Sequence, residues 1–151
     1  MMNLNDYSIL LVEDDANDIL FVQRAFRQAN LKNPIRIVKD GEQAISYLKG
    51  DDEYANRDLY FLPTLILLDL KLPRFSGLEV LEWIRGQPHL RRIPVVILTS
   101  SRETVDVNRA YEIGANSYLV KPVRFEELTK MMEIIDAYWL KLNQYPSSMS
   151  I

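Results

Sequence analysis

Five short apolar runs, rich in isoleucine, leucine and valine, recur along the chain and are separated by longer amphipathic segments. Each run is too short for a typical helix, and its composition is typical of a buried β-strand. The sequence therefore predicts five strands, at Ser8–Val12, Ile35–Val38, Thr64–Leu68, Val95–Leu98 and Ser117–Val120.

The segments between the strands have the residue spacing of amphipathic helices, with apolar side chains three and four positions apart. A fifth helix is predicted over about Phe125–Leu142. Five alternations of strand and helix predict an α/β fold, a doubly wound, flavodoxin-like parallel sheet with strand order 2-1-3-4-5. The residues with helical spacing are Ile19, Leu20, Val22 and Phe26; Ala44, Ile45 and Leu48; Leu78, Leu81, Ile84 and Arg85; Val107, Ala110 and Tyr111; and Leu128, Met131, Met132, Ile135, Tyr138 and Leu142.

One connection, Gly50–Pro63, is longer than most and polar in its middle. It is predicted to be a surface insertion. In the alternative, its aromatic end, Tyr60 and Phe61, folds back onto the core.

Composition narrows the class of protein. A chain of 151 residues with 48% hydrophobic residues forms one domain, expected over residues 1–142 and followed by a tail, residues 143–151, with no output domain. The net charge of -3 argues against sequence-independent binding of nucleic acid. The absence of cysteine, of a typical signal peptide and of a long apolar segment predicts a soluble, cytoplasmic protein with no membrane partner.

Acidic residues follow two strands that should be neighbours in the sheet. Glu13, Asp14 and Asp15 come after the first strand, and Asp69 comes after the third. Carboxyl ends of parallel strands meet at one edge, where ligands bind at the reversal of strand order. Converging carboxylates repel one another unless a cation is present, so the sequence predicts a Mg²⁺ site.

The remaining strands end in groups suited to a phosphoryl group. Thr99 and Ser100 follow the fourth strand, and Lys121 follows the fifth. Asp69 would attack phosphorus in line, Mg²⁺ and Lys121 would neutralise the phosphoryl oxygens, and the Thr99 hydroxyl would donate a hydrogen bond to one of them.

Each of these residues also has an ordinary structural interpretation. Asp15 fits the N-cap of the first helix, Thr99 could cap the fourth helix, and Lys121 could be a solvated loop residue. Capping suits Asp69 less well, because a proline follows too closely for a helix to begin. The occurrence of such groups at four strand ends favours a functional site over a chance arrangement. His89, by contrast, is predicted to lie in an exposed loop.

The segments "ILLVEDD", "LILLDLKLPRFSGLEVL", "IPVVILTSS" and "GANSYLVKP" resemble the receiver domains of bacterial two-component response regulators over about Tyr7–Leu142. The resemblance implies that Asp69 is the phosphoacceptor. It also implies a Mg²⁺ held by Asp14, by Glu13 partly through water, by Asp69 and by the backbone carbonyl of Lys71. The other implied roles are phosphate sensing by Thr99 and Lys121, an aromatic switch at Tyr118, and a cis Lys121–Pro122 bond.

The end of the chain, "AYWLKLNQYP", and the Gly50–Pro63 segment are similar to the single-domain regulators that partner bacteriophytochromes and related sensor histidine kinases. That similarity implies a kinase partner and a homodimer formed through helix 4, strand 5 and helix 5. Tyr138, Trp139 and Leu142 would extend the dimer surface. In the alternative, Trp139 and its neighbours cap the monomer core.

Two departures from the family pattern bear on the site. Ser76 stands where many receivers carry Asp, but serine can still cap the third helix. Lys71 and Ser101 flank the path by which water would reach a phosphoaspartate, so the sequence does not predict the lifetime of the phosphorylated form.

Three rival functions separate on specific residues. A phosphohydrolase needs an acid near its nucleophile, and Lys71 stands in that place. A dinucleotide-binding domain needs glycines after the first strand, and residues 13–17 contain none. The third rival is a receiver-like interaction module that acts without phosphorylation, and the intact set of Asp14, Asp69, Thr99 and Lys121 argues against it. The expected function is a phosphoacceptor that assists its own phosphorylation and dephosphorylation without being an enzyme.

Overall fold

The computed structural model describes residues 7–146, so part of the predicted tail lies outside the described residues. Strands and helices alternate five times, in agreement with the sequence pattern. The elements are β1 (Ile9–Val12), α1 (Ala16–Gln28), β2 (Ile35–Val38), α2 (Gly41–Lys49), β3 (Leu65–Leu68), α3 (Gly77–Gly86), β4 (Val95–Thr99), α4 (Thr104–Ile113), β5 (Ser117–Val120) and α5 (Phe125–Ile135).

All five strands are parallel and lie in the order β2-β1-β3-β4-β5, which confirms the predicted fold. Ile9 at the start of β1 pairs with Ile35 of β2 and with Leu65 of β3, so the three strands begin together. Strands β1, β3 and β4 are buried throughout, as predicted. The edge strands β2 and β5 are mostly half-buried, since each has a neighbour on one side only.

The side chains of the sheet point alternately to two apolar layers. Leu10 and Val12 pack with α2 and α3, whereas Ile9 and Leu11 pack with α1 and α5. This alternation follows from the two-residue repeat of a strand. Both faces of the sheet are thus covered, and its carboxyl edge remains open. Within the described part of the chain, every helix is too short or too polar to cross a bilayer.

The Gly50–Pro63 connection is exposed through much of its middle, as predicted for a surface insertion, but its aromatic end packs against the core. The Tyr54 and Tyr60 rings lie 5.1 and 6.1 Å from the Tyr47 ring. The Tyr47 hydroxyl donates a 2.8 Å hydrogen bond to the carbonyl of Phe61. The Arg57 guanidinium donates to the carbonyls of Tyr47, Leu48 and Tyr60. These contacts confirm the alternative, in which the aromatic residues fold back.

The helix caps settle three predictions. The Asp15 side chain accepts from the backbone N–H of Asp18 and caps α1, and Ser76 forms a capping box with Glu79 at the start of α3. Thr99, however, lies inside β4, and α4 begins five residues later with Glu103 at its N-cap. The capping interpretation of Thr99 was therefore wrong.

The predicted helix Phe125–Leu142 divides into α5 and a π-helical segment, Asp136–Leu142. Ile135 and Leu140 are both buried although they are five positions apart, a spacing that a π-helical turn places on one face. Tyr138 and Leu142, predicted on the apolar face, are instead 48% and 71% exposed.

Candidate metal and phosphoryl site

Four strand ends bring the predicted site residues to one edge of the sheet. Glu13 directly follows β1, Asp69 follows β3, Thr99 ends β4 and Lys121 follows β5. Glu13, Asp69 and Thr99 are buried, whereas Asp14 is exposed. The site is therefore a crevice with buried walls and a solvent-facing mouth.

The carboxylates of Glu13, Asp14 and Asp69 supply oxygen atoms that lie within 4.8 Å of one another. Such a set of hard oxygen donors fits a divalent cation, which would also relieve the repulsion between the carboxylates. The backbone N–H of Lys71 donates to Asp69 Oδ1 over 3.3 Å, so the chain turns back beside this group. Coordination of the metal by the Lys71 backbone carbonyl remains a prediction.

Lys121 is part of the site and not a solvated loop residue. Its ammonium contacts a carboxylate oxygen of Glu13, Asp18 Oδ2 at 2.8 Å and Asp69 Oδ2 at 2.9 Å. Burial alone would lower the pKa of Lys121, but the hydrogen bonds to Asp18, Glu13 and Asp69 outweigh it and raise that pKa. The lysine therefore carries its positive charge at neutral pH.

Glu13 is the most deeply buried carboxylate of the crevice. Burial raises its pKa to about 7 even though Lys121 donates a hydrogen bond to it, and the nearby charge of Asp69 acts in the same direction as burial. The backbone N–H of Asp15 donates to its second oxygen over 3.1 Å. A cation in the crevice would favour the ionised form of Glu13.

Asp18 was not among the site residues predicted from the sequence. Its predicted position in the first turn of α1, at the same sheet edge as the acidic residues, could have indicated a role in the site. Which side chain of a helical turn faces the crevice depends on how the helix packs, so the signal was ambiguous.

The Thr99 hydroxyl is buried and has no hydrogen-bond partner among the described residues. A buried, unpaired hydroxyl is unfavourable unless a ligand or water satisfies it. Thr99 ends the strand next to β3, which leads into Asp69. It therefore fits the predicted donor to a phosphoryl oxygen.

Tyr118 is hydrogen-bonded to the loop that follows Thr99. Its hydroxyl donates a 3.0 Å hydrogen bond to the carbonyl of Ser101, and the Ser101 hydroxyl donates to Asp106 of α4. The ring packs against the apolar layer that contains α2 and α3. Tyr118 thus joins β5 to the β4–α4 loop, the position expected of the switch residue.

Gly77 allows α3 to begin directly against the end of β3. A Cβ atom at this position would lie 2.1 Å from the backbone oxygen of Asp69 and 2.6 Å from Leu70 Cα. The backbone N–H of Gly77 also donates to the carbonyl of Leu70 over 2.9 Å. The absence of a side chain here helps to set the position of Asp69.

The cis Lys121–Pro122 bond implied by the family resemblance is not found, since residues 7–146 contain no cis peptide bond. The trans isomer is the more stable form of an X-Pro bond by about 0.5–1 kcal/mol in the absence of other constraints.

The proposed dimer residues differ in exposure. Tyr138 and Leu142 are exposed, whereas Trp139 is half-buried and packs against the apolar layer of α1 and α5. The Tyr145 hydroxyl donates to the carbonyl of Trp139 over 2.6 Å. This packing of Trp139 agrees with the alternative, in which it caps the core, and its place on a dimer surface stays a prediction. His89 is exposed in the α3–β4 connection, as predicted.

Two curated relatives match the chain over nearly their whole length. The chain is 42% identical over 140 residues to the probable methanogenesis regulatory protein FilR2 of Methanothrix harundinacea, covering 93% of this chain and 88% of that protein. It is 40% identical over 140 residues to the response regulator Rcp1 of Synechocystis, covering 93% of each.

Solved structures agree with the sequence matches. The phosphorylated cyanobacterial phytochrome response regulator RcpA superposes with a TM-score of 0.86 at 38% identity, covering 93% of this chain and 99% of that one. The Mn²⁺-bound form of Rcp1 has a TM-score of 0.84 at 40% identity with the same coverage. The bacteriophytochrome response regulator RtBRR has a TM-score of 0.74 at 43% identity, covering 95% and 86%.

The model of the response regulator receiver domain matches residues 9–133, which include all the strands and the carboxylate crevice. The fold, the strand order and the full-length matches to single-domain regulators agree with that assignment. The chain therefore belongs to the response regulator receiver family.

Proposed function

We propose that this receiver domain accepts a phosphoryl group on Asp69 from a sensor histidine kinase, with Mg²⁺, and thereby changes its partner-binding or dimer surface. The observation that carries the proposal is the arrangement around Asp69. Its buried carboxylate contacts the Lys121 ammonium and shares a potential cation site with Glu13 and Asp14. It also adjoins the strand that ends in Thr99, whose hydroxyl is unpaired within residues 7–146.

Glu13, Asp14, Asp69 and the carbonyl of Lys71 would hold the Mg²⁺. When bound, the ion supplies positive charge next to the phosphoryl oxygens. The homologue Rcp1 has been solved with Mn²⁺, which supports a divalent metal in this family. Mg²⁺ is the proposed ion because it prefers oxygen ligands, keeps several waters and is usually bound together with phosphate oxygens.

The reaction is an in-line displacement at phosphorus. One Asp69 carboxylate oxygen attacks, an O–P bond forms, and the P–N bond of a phosphohistidine breaks with its electron pair remaining on the imidazole nitrogen. The Lys121 ammonium neutralises a phosphoryl oxygen, and the Thr99 hydroxyl donates a hydrogen bond to another. No separate substrate is turned over, so the protein acts as a phosphoacceptor.

The signal would pass from Thr99 to Tyr118 and then to the surface. A Thr99 side chain drawn towards the phosphoryl group takes the β4–α4 loop with it, and Tyr118 is bonded to that loop at Ser101. The charge on Asp69 would then shift the equilibrium between two packings of this region. The proposed output is a changed surface of α4, β5 and α5, with a homodimer extended by Tyr138 and Leu142.

We assign the receiver domain to residues 1–142 and the tail to residues 143–151. The last helical residue of the described chain is Leu142, which supports this boundary.

The test is the uptake of phosphate from a small phosphodonor such as acetyl phosphate, read by intact mass. We expect a phosphate-sized mass gain with Mg²⁺, none with EDTA, and none in Asp69→Asn. Asp58→Asn is the matched control, because it makes the same charge change in the α2–β3 connection at the opposite edge of the sheet. A folded wild type that gains no mass would contradict the proposal and favour an interaction module that acts without phosphorylation.

A further inference from the structure

The Lys121 ammonium has three N–H donors, and three carboxylates occupy them. Glu13, Asp18 and Asp69 each accept one hydrogen bond from Nζ. A phosphoryl oxygen can therefore gain a direct bond from this lysine only if a carboxylate releases it.

Asp18 differs from the other two acceptors in its surroundings. Its side chain is 37% exposed, compared with 2% for Glu13 and 7% for Asp69. It also lies outside the trio of carboxylates that could share a cation. Water can hydrate a released Asp18 carboxylate much more readily than a released Glu13, so Asp18 is the least costly partner to lose.

A rigid part of the fold holds Asp18 in place. The residue lies in the first turn of α1, and its backbone N–H donates to the capping Asp15 side chain over 2.9 Å. This backbone contact does not involve the Asp18 carboxylate. The side chain can therefore be changed without removing the helix cap.

Two effects oppose a phosphoryl group while Asp18 is charged. The carboxylate occupies one Lys121 donor, and its negative charge repels the nearly two negative charges that a phosphoryl group brings. Both effects weaken when the charge is removed, because a neutral amide oxygen is a weaker acceptor for an ammonium group and does not repel the phosphoryl group. Both therefore predict tighter binding of the phosphoryl group.

We propose that Asp18 is a positioning residue that holds Lys121 in the unphosphorylated state and competes with the phosphoryl group for its ammonium. The inference rests on the proposed function of Asp69. Asp18 would thus set how strongly the site holds a phosphoryl group. It is neither part of the potential cation site nor the phosphoacceptor.

The test is the affinity of the full chain for beryllofluoride, a phosphoryl mimic, measured by titration calorimetry with Mg²⁺ in excess. We expect Asp18→Asn to bind about three- to fivefold more tightly than the wild type at low salt, the scale of one partly exposed ion pair. The difference should shrink at high salt, because a partly exposed charge is screened. Asp18→Glu, which keeps the charge, should restore the wild-type affinity within about twofold.

Asp58→Asn, with the same change in net charge, should leave the affinity unchanged. Equal or weaker binding by a folded Asp18→Asn, or a gain that does not depend on salt, would overturn the role of Asp18 while leaving Asp69 as acceptor. A folded wild type that neither binds beryllofluoride nor gains phosphate would overturn the proposed function and this inference together.

Discussion

At the residue scale, the site depends on buried charges that compensate one another. Glu13 and Asp69 are buried beside one ammonium group, and an isolated buried carboxylate would be strongly unfavourable. Lys121 offsets part of this unfavourable energy in the unphosphorylated protein. The charges that are proposed to assist phosphoryl transfer therefore also form ion pairs between the ends of β1, β3 and β5.

Tyr47 provides a residue-scale test of the folded-back connection. Burial raises its pKa from 10.0 to about 12. Because the folded state favours the neutral phenol, the stability that Tyr47 contributes is fully present below pH 10 and is lost as the pH rises towards 12. Tyr47→Phe does not titrate, but it leaves the carbonyl of Phe61 without its donor.

We therefore expect Tyr47→Phe to lower the free energy of unfolding by about 1 kcal/mol at pH 8. That deficit should narrow above pH 10, because ionisation of residue 47 in the unfolded state destabilises the wild type and has no counterpart in the variant. Urea unfolding followed by circular dichroism measures both values, and Tyr111→Phe is the half-exposed control. A deficit that stays constant from pH 8 to pH 11 would be inconsistent with the raised pKa.

At the element scale, the position of Asp69 depends on how closely α3 follows β3. Gly77→Ala would place a methyl group against backbone atoms that cannot rotate away. We expect a loss of about 3 kcal/mol in the free energy of unfolding, together with slower phosphorylation as the end of β3 shifts. Both are measurable, by urea unfolding and by intact mass.

Gly86→Ala is the matched control for Gly77→Ala. Outside the adjoining residues and the backbone of α3 itself, no atom of residues 7–146 lies within 4 Å of a Cβ at this position. The same substitution should therefore be neutral or stabilising by up to about 1 kcal/mol. Equal effects of the two substitutions would show that the contact at Gly77 does not constrain the structure.

The elements differ in how far the sequence could predict them. Strands and the acidic crevice were predictable, because short apolar runs and parallel pairing place Glu13 and Asp69 at one edge without knowledge of side-chain packing. The π-helical segment was not predictable, since its repeat resembles an ordinary helical pattern. Contacts made by Asp18 and Tyr60 depend on helix orientation and loop packing, which local patterns do not encode.

At the scale of the whole molecule, the proposed output is a change in self-association. Ile134, Tyr138 and Leu142 are large apolar residues four positions apart, and all three are exposed, Ile134 to 67%. Exposed apolar surface is a frequent feature of interfaces. Ile134 lies on α5, which is part of the surface that phosphorylation is proposed to change.

We expect Leu142→Glu to raise the dimer dissociation constant at least about tenfold, because it buries an unpaired charge. Multi-angle light scattering with and without beryllofluoride measures the association, and Leu59→Glu is the control at an exposed leucine in the α2–β3 connection. A wild type that remains monomeric under both conditions would eliminate the dimer from the account.

Direct chemical localisation tests whether Asp69 itself carries the phosphoryl group. Borohydride reduces an aspartyl phosphate to homoserine, so protein treated with acetyl phosphate and Mg²⁺ can be reduced, digested and sequenced by mass spectrometry. We expect homoserine at position 69 and at no other aspartate. Homoserine at Asp14 or Asp18, or none in protein that has gained phosphate, would contradict it.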